Sequence, residues 1–146
     1  MLLEVTGTGL NMKFIDSHCF VASPLSAFPK TFGLIELKKG YFPHKFNTPE
    51  NANYVGPIPD KKYYCTDTMT PGARAKFIEW HDERVAEGYV FDFAKEIVDY
   101  CDSDVDILKR GCLELRKTFL DIGNIDPFQY ITIPAVCMAL FRSKYL

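Results

Sequence analysis

Tyr100 and Asp104 stand four residues apart in a segment where Val98, Cys101, Val105, Leu108, Cys112, Leu115 and Phe119 recur in steps of three and four. That period describes an amphipathic helix with one apolar stripe over about six turns. Tyr100 and Asp104 each precede a stripe residue by one, so both fall on one flank, a turn apart, while Asp102 and Asp106 fall on the other. A carboxylate at the edge of a buried seam can hold a metal ion while the core anchors its helix. A phenol one turn away can orient an attacking water beside it. Two-metal phosphoryl transfer asks for such a pair. The same spacing also suits a tyrosine at the core edge and a solvated acid. Asp16-Ser17 and Lys39-Gly40 are the upstream groups to be read with it.

The stripe needs an apolar partner. Leu2–Thr8 and Met12–Asp16 read as strands joined by the turn Gly9-Leu10-Asn11, and the alternation of Leu3, Val5 and Phe14, Asp16 offers a sheet face for it. Ser23-Pro24-Leu25 opens a short helix near Leu25–Thr31 that stops at Gly33. From Lys38 to Thr70, prolines and glycines interrupt every candidate element while tyrosines and phenylalanines are interleaved. The stretch is too aromatic for a flexible linker and reads as an ordered insertion laid over the domain surface. Thr70-Pro71 caps a helix from about Gly72 to Ala86, ended by Gly88, and a last helix covers roughly Ile133–Lys144.

Composition narrows the classes. With 146 residues, 47% of them hydrophobic, the chain is one domain or most of one and can bury a core. A net charge of −2 gives no global attraction to nucleic acid, so any such contact must be local, and Lys38, Lys39, His44 and Lys45 form the best cluster. Five cysteines without a CxxC pair read as buried reduced thiols of an intracellular protein. The N-terminus has no basic, apolar leader, and the longest apolar run, near Ile133–Phe141, is too short to span a bilayer, so a soluble protein is expected. His18, His44 and His81 are not at metal-ligand spacing, and His81 sits among charges on what reads as an exposed helix face. His18 and Cys19 are adjacent on a strand and point to opposite faces. Thr6-Gly7-Thr8-Gly9 lacks the lysine and helix of a P-loop. Tyr63, Tyr64 and Trp80 could stack on bases, but packing suits them better.

Several stretches together resemble the exonuclease domain of the protein-primed branch of family B DNA polymerases, the organellar and viral type. They are Met12-Lys13-Phe14-Ile15-Asp16-Ser17, Leu37-Lys38-Lys39-Gly40-Tyr41-Phe42-Pro43-His44, Phe91-Asp92-Phe93, Tyr100-Cys101-Asp102-Ser103-Asp104-Val105, and Asp126-Pro127-Phe128 followed by Thr132-Ile133. They run in family order over nearly the whole chain. The resemblance implies a partial ribonuclease-H-like α/β fold, with an N-terminal hairpin and several helices. It implies that Tyr100 and Asp104 are the third exonuclease motif, Asp104 as metal ligand and Tyr100 as the group that positions the water. Lys39 matches a lysine acting near the scissile phosphate. Ser17 and Val21 match the first and last positions of a motif that holds the single-stranded 3′ end, with His18 where the family has leucine.

The family's two upstream acidic motifs and the downstream polymerase palm have no counterpart in these residues. The resemblance therefore implies part of a DNA-directed DNA polymerase, a nucleotidyltransferase of DNA replication, of the type found in phages, adenoviruses, linear plasmids and self-synthesising DNA transposons. Its partners would be a single-stranded DNA 3′ end and, in the complete enzyme, a terminal priming protein. Mg2+ or Mn2+ belongs to the complete enzyme, with none expected here. The other readings are a domesticated DNA- or protein-binding module of the same fold and a stand-alone nuclease. The last is weakest, because one aspartate cannot hold two metal ions.

Overall fold

The structure is a computed structural model that describes residues 2–5, 12–34 and 41–146. Two short strands come first, β1 (Leu2–Val5) and β2 (Met12–Ile15), paired antiparallel with Leu3 opposite Phe14 and Glu4 opposite Lys13. The strands of the expected hairpin are thus present. The turn Gly9-Leu10-Asn11 and the strand residues through Thr8 lie outside the described residues. The proposed sheet face is not borne out at its described end. Phe14 is 52% exposed and Asp16 is exposed, its carboxylate turned to cap the 3-10 turn Ser17–Cys19 by accepting the His18 N–H at 2.9 Å. A 3-10 turn at Leu25–Ala27 leads into α1 (Phe28–Thr31), and Gly33 takes the left-handed conformation (φ +69°) that ends it. Then follow β3 (Val55–Pro57), α2 (Pro71–Ala86), β4 (Val90–Asp92), α3 (Phe93–Gly123) and α4 (Ile133–Tyr145). The class is mixed α/β, with β3 and β4 forming a second antiparallel pair. Among the described residues no helix is long and apolar enough to cross a membrane.

The contacts divide the chain into two compact units, one of Met1–Lys38 with Asp106–Leu146 and one of Lys39–Val105. In the first, Phe20, Phe28, Ile107 and Val136 are buried. Phe20 meets the ring of Phe128 edge-on at 5.4 Å. Gly111 is where α3 lets α1 approach: a Cβ there would stand 2.5 Å from Phe28 Cδ2 and 3.2 Å from Phe32 Cδ2. Asp126 organises the turn before α4, accepting from the Phe128 N–H at 3.1 Å and from both Nε and Nη2 of Arg116 at 3.0 and 2.7 Å. The guanidinium bond holds the Asp126 carboxyl below the ordinary carboxylate range.

The second unit corrects the reading of the aromatic stretch. It is not laid over a surface; it is the core. Phe42 and Phe46 from the loop, Phe91 from β4 and Phe93 from α3 form one buried cluster, packed about by Tyr54, Ile58, Tyr63, Tyr89, Ile97 and Tyr100. Burying these large rings supplies the apolar area that three-residue strands cannot. A second group surrounds the fully buried Phe77, with Tyr41, Tyr64, Trp80 and His81 at ring distances of 4.9–5.9 Å. His81 is therefore buried, not on a solvated face, and its Nε2–H donates to Pro59 O at 2.9 Å. Cys101 and Cys137 are exposed and Cys19, Cys65 and Cys112 half-buried, all as free thiols, so the cysteines are not the core fillers their spacing implied.

The stripe on α3 is only half an inward face. Leu108, Cys112, Leu115 and Phe119 are half-buried, but Cys101 is exposed and Val98 and Val105 are 55% and 63% exposed. In the first turns the inward line is Phe93, Ile97, Tyr100 and Asp104.

Gly111→Ala gains helix propensity of about 1 kcal/mol at most, yet forces its methyl into the buried Phe28 ring. The overpacking dominates, for a net loss of about 1–2 kcal/mol in urea denaturation. Gly72→Ala, in open space near the start of α2, is neutral or stabilising. Asp126→Ala costs about 1 kcal/mol at neutral pH. Because the folded carboxyl titrates below its unfolded value of about 3.9, that contribution is complete above this value and fades as the pH falls through the lower folded one. Denaturation of both proteins across the acid range should show the gap closing.

Candidate functional site

Tyr100 and Asp104 owe their orientation to the entry into α3. Phe91 and Phe93 flank Asp92 across the strand–helix junction, and both rings are buried. Asp92 Oδ1 accepts the Lys95 N–H at 3.3 Å, and the Phe93 N–H donates to Tyr54 O at 2.9 Å. With the helix start held by cap and rings together, residues seven and eleven positions beyond Phe93 return to its side. These are Tyr100 and Asp104.

The Tyr100 ring stacks on Phe42, with centroids 5.0 Å apart and planes at 27°. His44 meets the Tyr100 ring edge-on at 5.5 Å, and its Nε2 lies 3.5 Å from the phenolic oxygen. His44 opens a 3-10 turn, His44–Phe46, fixed by the Phe46 N–H to Pro43 O bond at 2.8 Å, and Phe42 and Pro43 are both buried. Asp104 is half-buried, its Oδ1 shut off from solvent. Asp102 is exposed on the far side, and Asp106 pairs with Arg110 at 2.9 Å. One turn before Tyr100, Glu96 accepts a short hydrogen bond from the Tyr89 hydroxyl, which pushes the Tyr89 phenol up.

The residues expected to act together fall into three groups. Tyr100 and Asp104 share the inward side of α3. Ser17, His18 and Val21 belong to the other unit: Ser17 starts a 3-10 turn and its carbonyl accepts the N–H groups of Phe20 and Val21 at 3.0 and 2.9 Å, while His18 is exposed. Lys39, with Lys38 and Gly40, lies outside the described residues. In the expected basic cluster, His44 packs as an aromatic partner of Tyr100, and the exposed Lys45 stands 3.8 Å from Asp67. Sequence reasoning gave His44 a place in the basic cluster but none beside Tyr100, and it gave no role to Phe42 or to the Tyr89–Glu96 bond, although Phe42 and His44 both lie in the Leu37–His44 stretch it singled out. Among the described residues no group of three His, Cys, Asp or Glu side chains could hold a metal ion. Of the residues expected to act together, Asp104 alone offers a carboxylate, so they do not by themselves fit a two-metal centre.

The family description "DNA polymerase type B, organellar and viral" matches residues 2–146. The chain belongs to that family. Proteins named as probable DNA polymerases are similar to it: 29% identical over 135 residues in Neurospora intermedia, 28% over 145 in Ascobolus immersus and 26% over 140 in Agaricus bitorquis. These alignments cover 91%, 95% and 93% of this chain but 14%, 11% and 16% of those proteins, so the chain spans a small part of their length. No solved structure is significantly similar to it.

Proposed function

We propose that this chain is part of the 3′→5′ exonuclease domain of a DNA-directed DNA polymerase, with a ribonuclease-H-like fold that is completed by other parts of the polymerase. The observation that carries the reading is the shared inward side of Tyr100 and Asp104, set by the aromatic core at the start of α3. Asp104 is assigned as a metal ligand and Tyr100 as the group that orients the attacking water. Lys39 acts at the scissile phosphate, and Ser17, His18 and Val21 contact the single-stranded 3′ end. The remaining carboxylates for Mg2+ or Mn2+ come from the two upstream acidic motifs of the family. The complete enzyme works with a terminal priming protein. The exposed strip of Val98, Cys101 and Val105 supports the fold assignment, since a sheet carrying those motifs would cover it.

The isolated chain is expected not to digest DNA, because one carboxylate cannot clamp two cations. Joined to a segment that carries the two acidic motifs, it becomes a metal-dependent 3′→5′ exonuclease. In that longer chain Asp104→Ala abolishes the activity, and Asp102→Ala, on the exposed side, changes it little. Magnesium-dependent digestion of single-stranded DNA by the 146-residue chain alone would overturn the assignment. The strand path has its own check. Single-stranded DNA binding should fall steeply with salt, because lysine–phosphate contacts release counterions. Lys39→Ala should weaken the binding and flatten its salt slope, and Ser17→Ala should weaken it with the slope kept. Unchanged affinity in both variants would show that the strand runs elsewhere.

A further inference from the structure

We infer that His44 is a positioning residue for Tyr100: its Nε2 accepts the phenolic proton and so sets the direction of the tyrosine hydroxyl. The consequence for catalysis rests on the reading of Tyr100 given above; the hydrogen bond itself does not.

Three rings fix the geometry. Phe42, 5% exposed, stacks on Tyr100 at 5.0 Å and meets His44 edge-on at 5.5 Å, and His44 in turn stands edge-on to Tyr100 at 5.5 Å. The His44 ring is exposed on its outer side but touches both of the other rings, and the turn at 44–46 fixes its backbone. The 3.5 Å separation of Nε2 and Oη is long for such a bond.

The chemistry decides the direction. A neutral imidazole has one N–H donor and one pyridine-like acceptor, while a phenol is both donor and acceptor. The pyridine-like nitrogen is the better acceptor of the two and the phenol the better donor. The phenol therefore donates to Nε2, and His44 carries its proton on Nδ1. With its proton committed, Tyr100 Oη acts as an acceptor towards its other neighbours. A residue that orients a water for attack takes up that posture, because accepting a hydrogen bond from the water turns the water's lone pair outward.

The test reads the tautomer directly. In the 146-residue chain labelled with 15N-histidine, long-range 1H–15N spectra at about pH 8.5, above the ordinary imidazole range, should show His44 mainly as the Nδ1–H form. Tyr100→Phe should return it to the Nε2–H form usual for a histidine in water. An Nε2–H imidazole in the unaltered chain, or a tautomer indifferent to Tyr100→Phe, overturns the inference. In the exonuclease-competent longer polymerase, His44→Phe keeps the ring and loses the acceptor. It should lower kcat about three- to tenfold, the worth of one hydrogen bond, with KM unchanged. His44→Gln, whose carbonyl can reach the same position, should recover part of the loss, and His44→Phe should cost nothing further in a Tyr100→Phe background. If Tyr100→Phe lowers kcat and His44→Phe does not, the inference fails and the reading of Tyr100 stands. If Tyr100→Phe leaves kcat unchanged, that reading fails, while the tautomer result still decides the hydrogen bond.

Discussion

The rotation of α3 about its axis is the constraint on which the candidate site depends. A helix of 31 residues has no orientation of its own, and whatever grips its first turn decides which side chains face inward for several turns beyond. Here the grip is aromatic. Phe91 and Phe93 lie on either side of a strand–helix junction and enter one cluster with Phe42 and Phe46. Turning the helix would pull Phe93 from that cluster, at a cost of about 1.5–3 kcal/mol for the ring alone. Tyr100 and Asp104 inherit their direction from it.

The helices were legible in the sequence because their boundaries are local chemistry. Thr70 accepts the Ala73 N–H as the cap of α2, proline opens the helix, and Gly88 beyond it takes φ +66°. The pair β3–β4 was not legible. Three residues cannot display a period of two, and Gly56-Pro57 reads as a turn. Yet Gly56 is there because Tyr54 crosses it to donate to Pro57 O, leaving only 2.9 Å between the Tyr54 hydroxyl and any Cβ at position 56. His81 was misplaced for a related reason. Its sequence neighbours are charged, but a helix side is set by residues three and four away, and Phe77 precedes it by four.

The stripe on α3 misled in a more instructive way. Periodicity identifies an apolar side but not what covers it, and α3 has two such sides in its first turns. One, with Phe93, Ile97 and Tyr100, meets rings that come from a loop with no regular pattern. The other, with Val98, Cys101 and Val105, gave the cleaner period and is exposed. The spacing of Tyr100 and Asp104 was legible, since four residues on a helix are one turn whichever side is buried. Their companion His44 was not, because the contact joins residues 56 positions apart in the chain.

A helix that is apolar on two sides is built for two neighbours. The inward line and the exposed strip on α3 are separated by roughly a third of a turn, so a layer laid against Val98, Cys101 and Val105 would not displace the rings that hold Tyr100. It would add a second restraint on the same rotation. That arrangement would suit the chemistry proposed for the pair, in which an error of about 1 Å in a catalytic group is expensive. The aromatic core orients the pair, and a covering layer would lock the helix between two surfaces and bring its own groups up to the pair's flank.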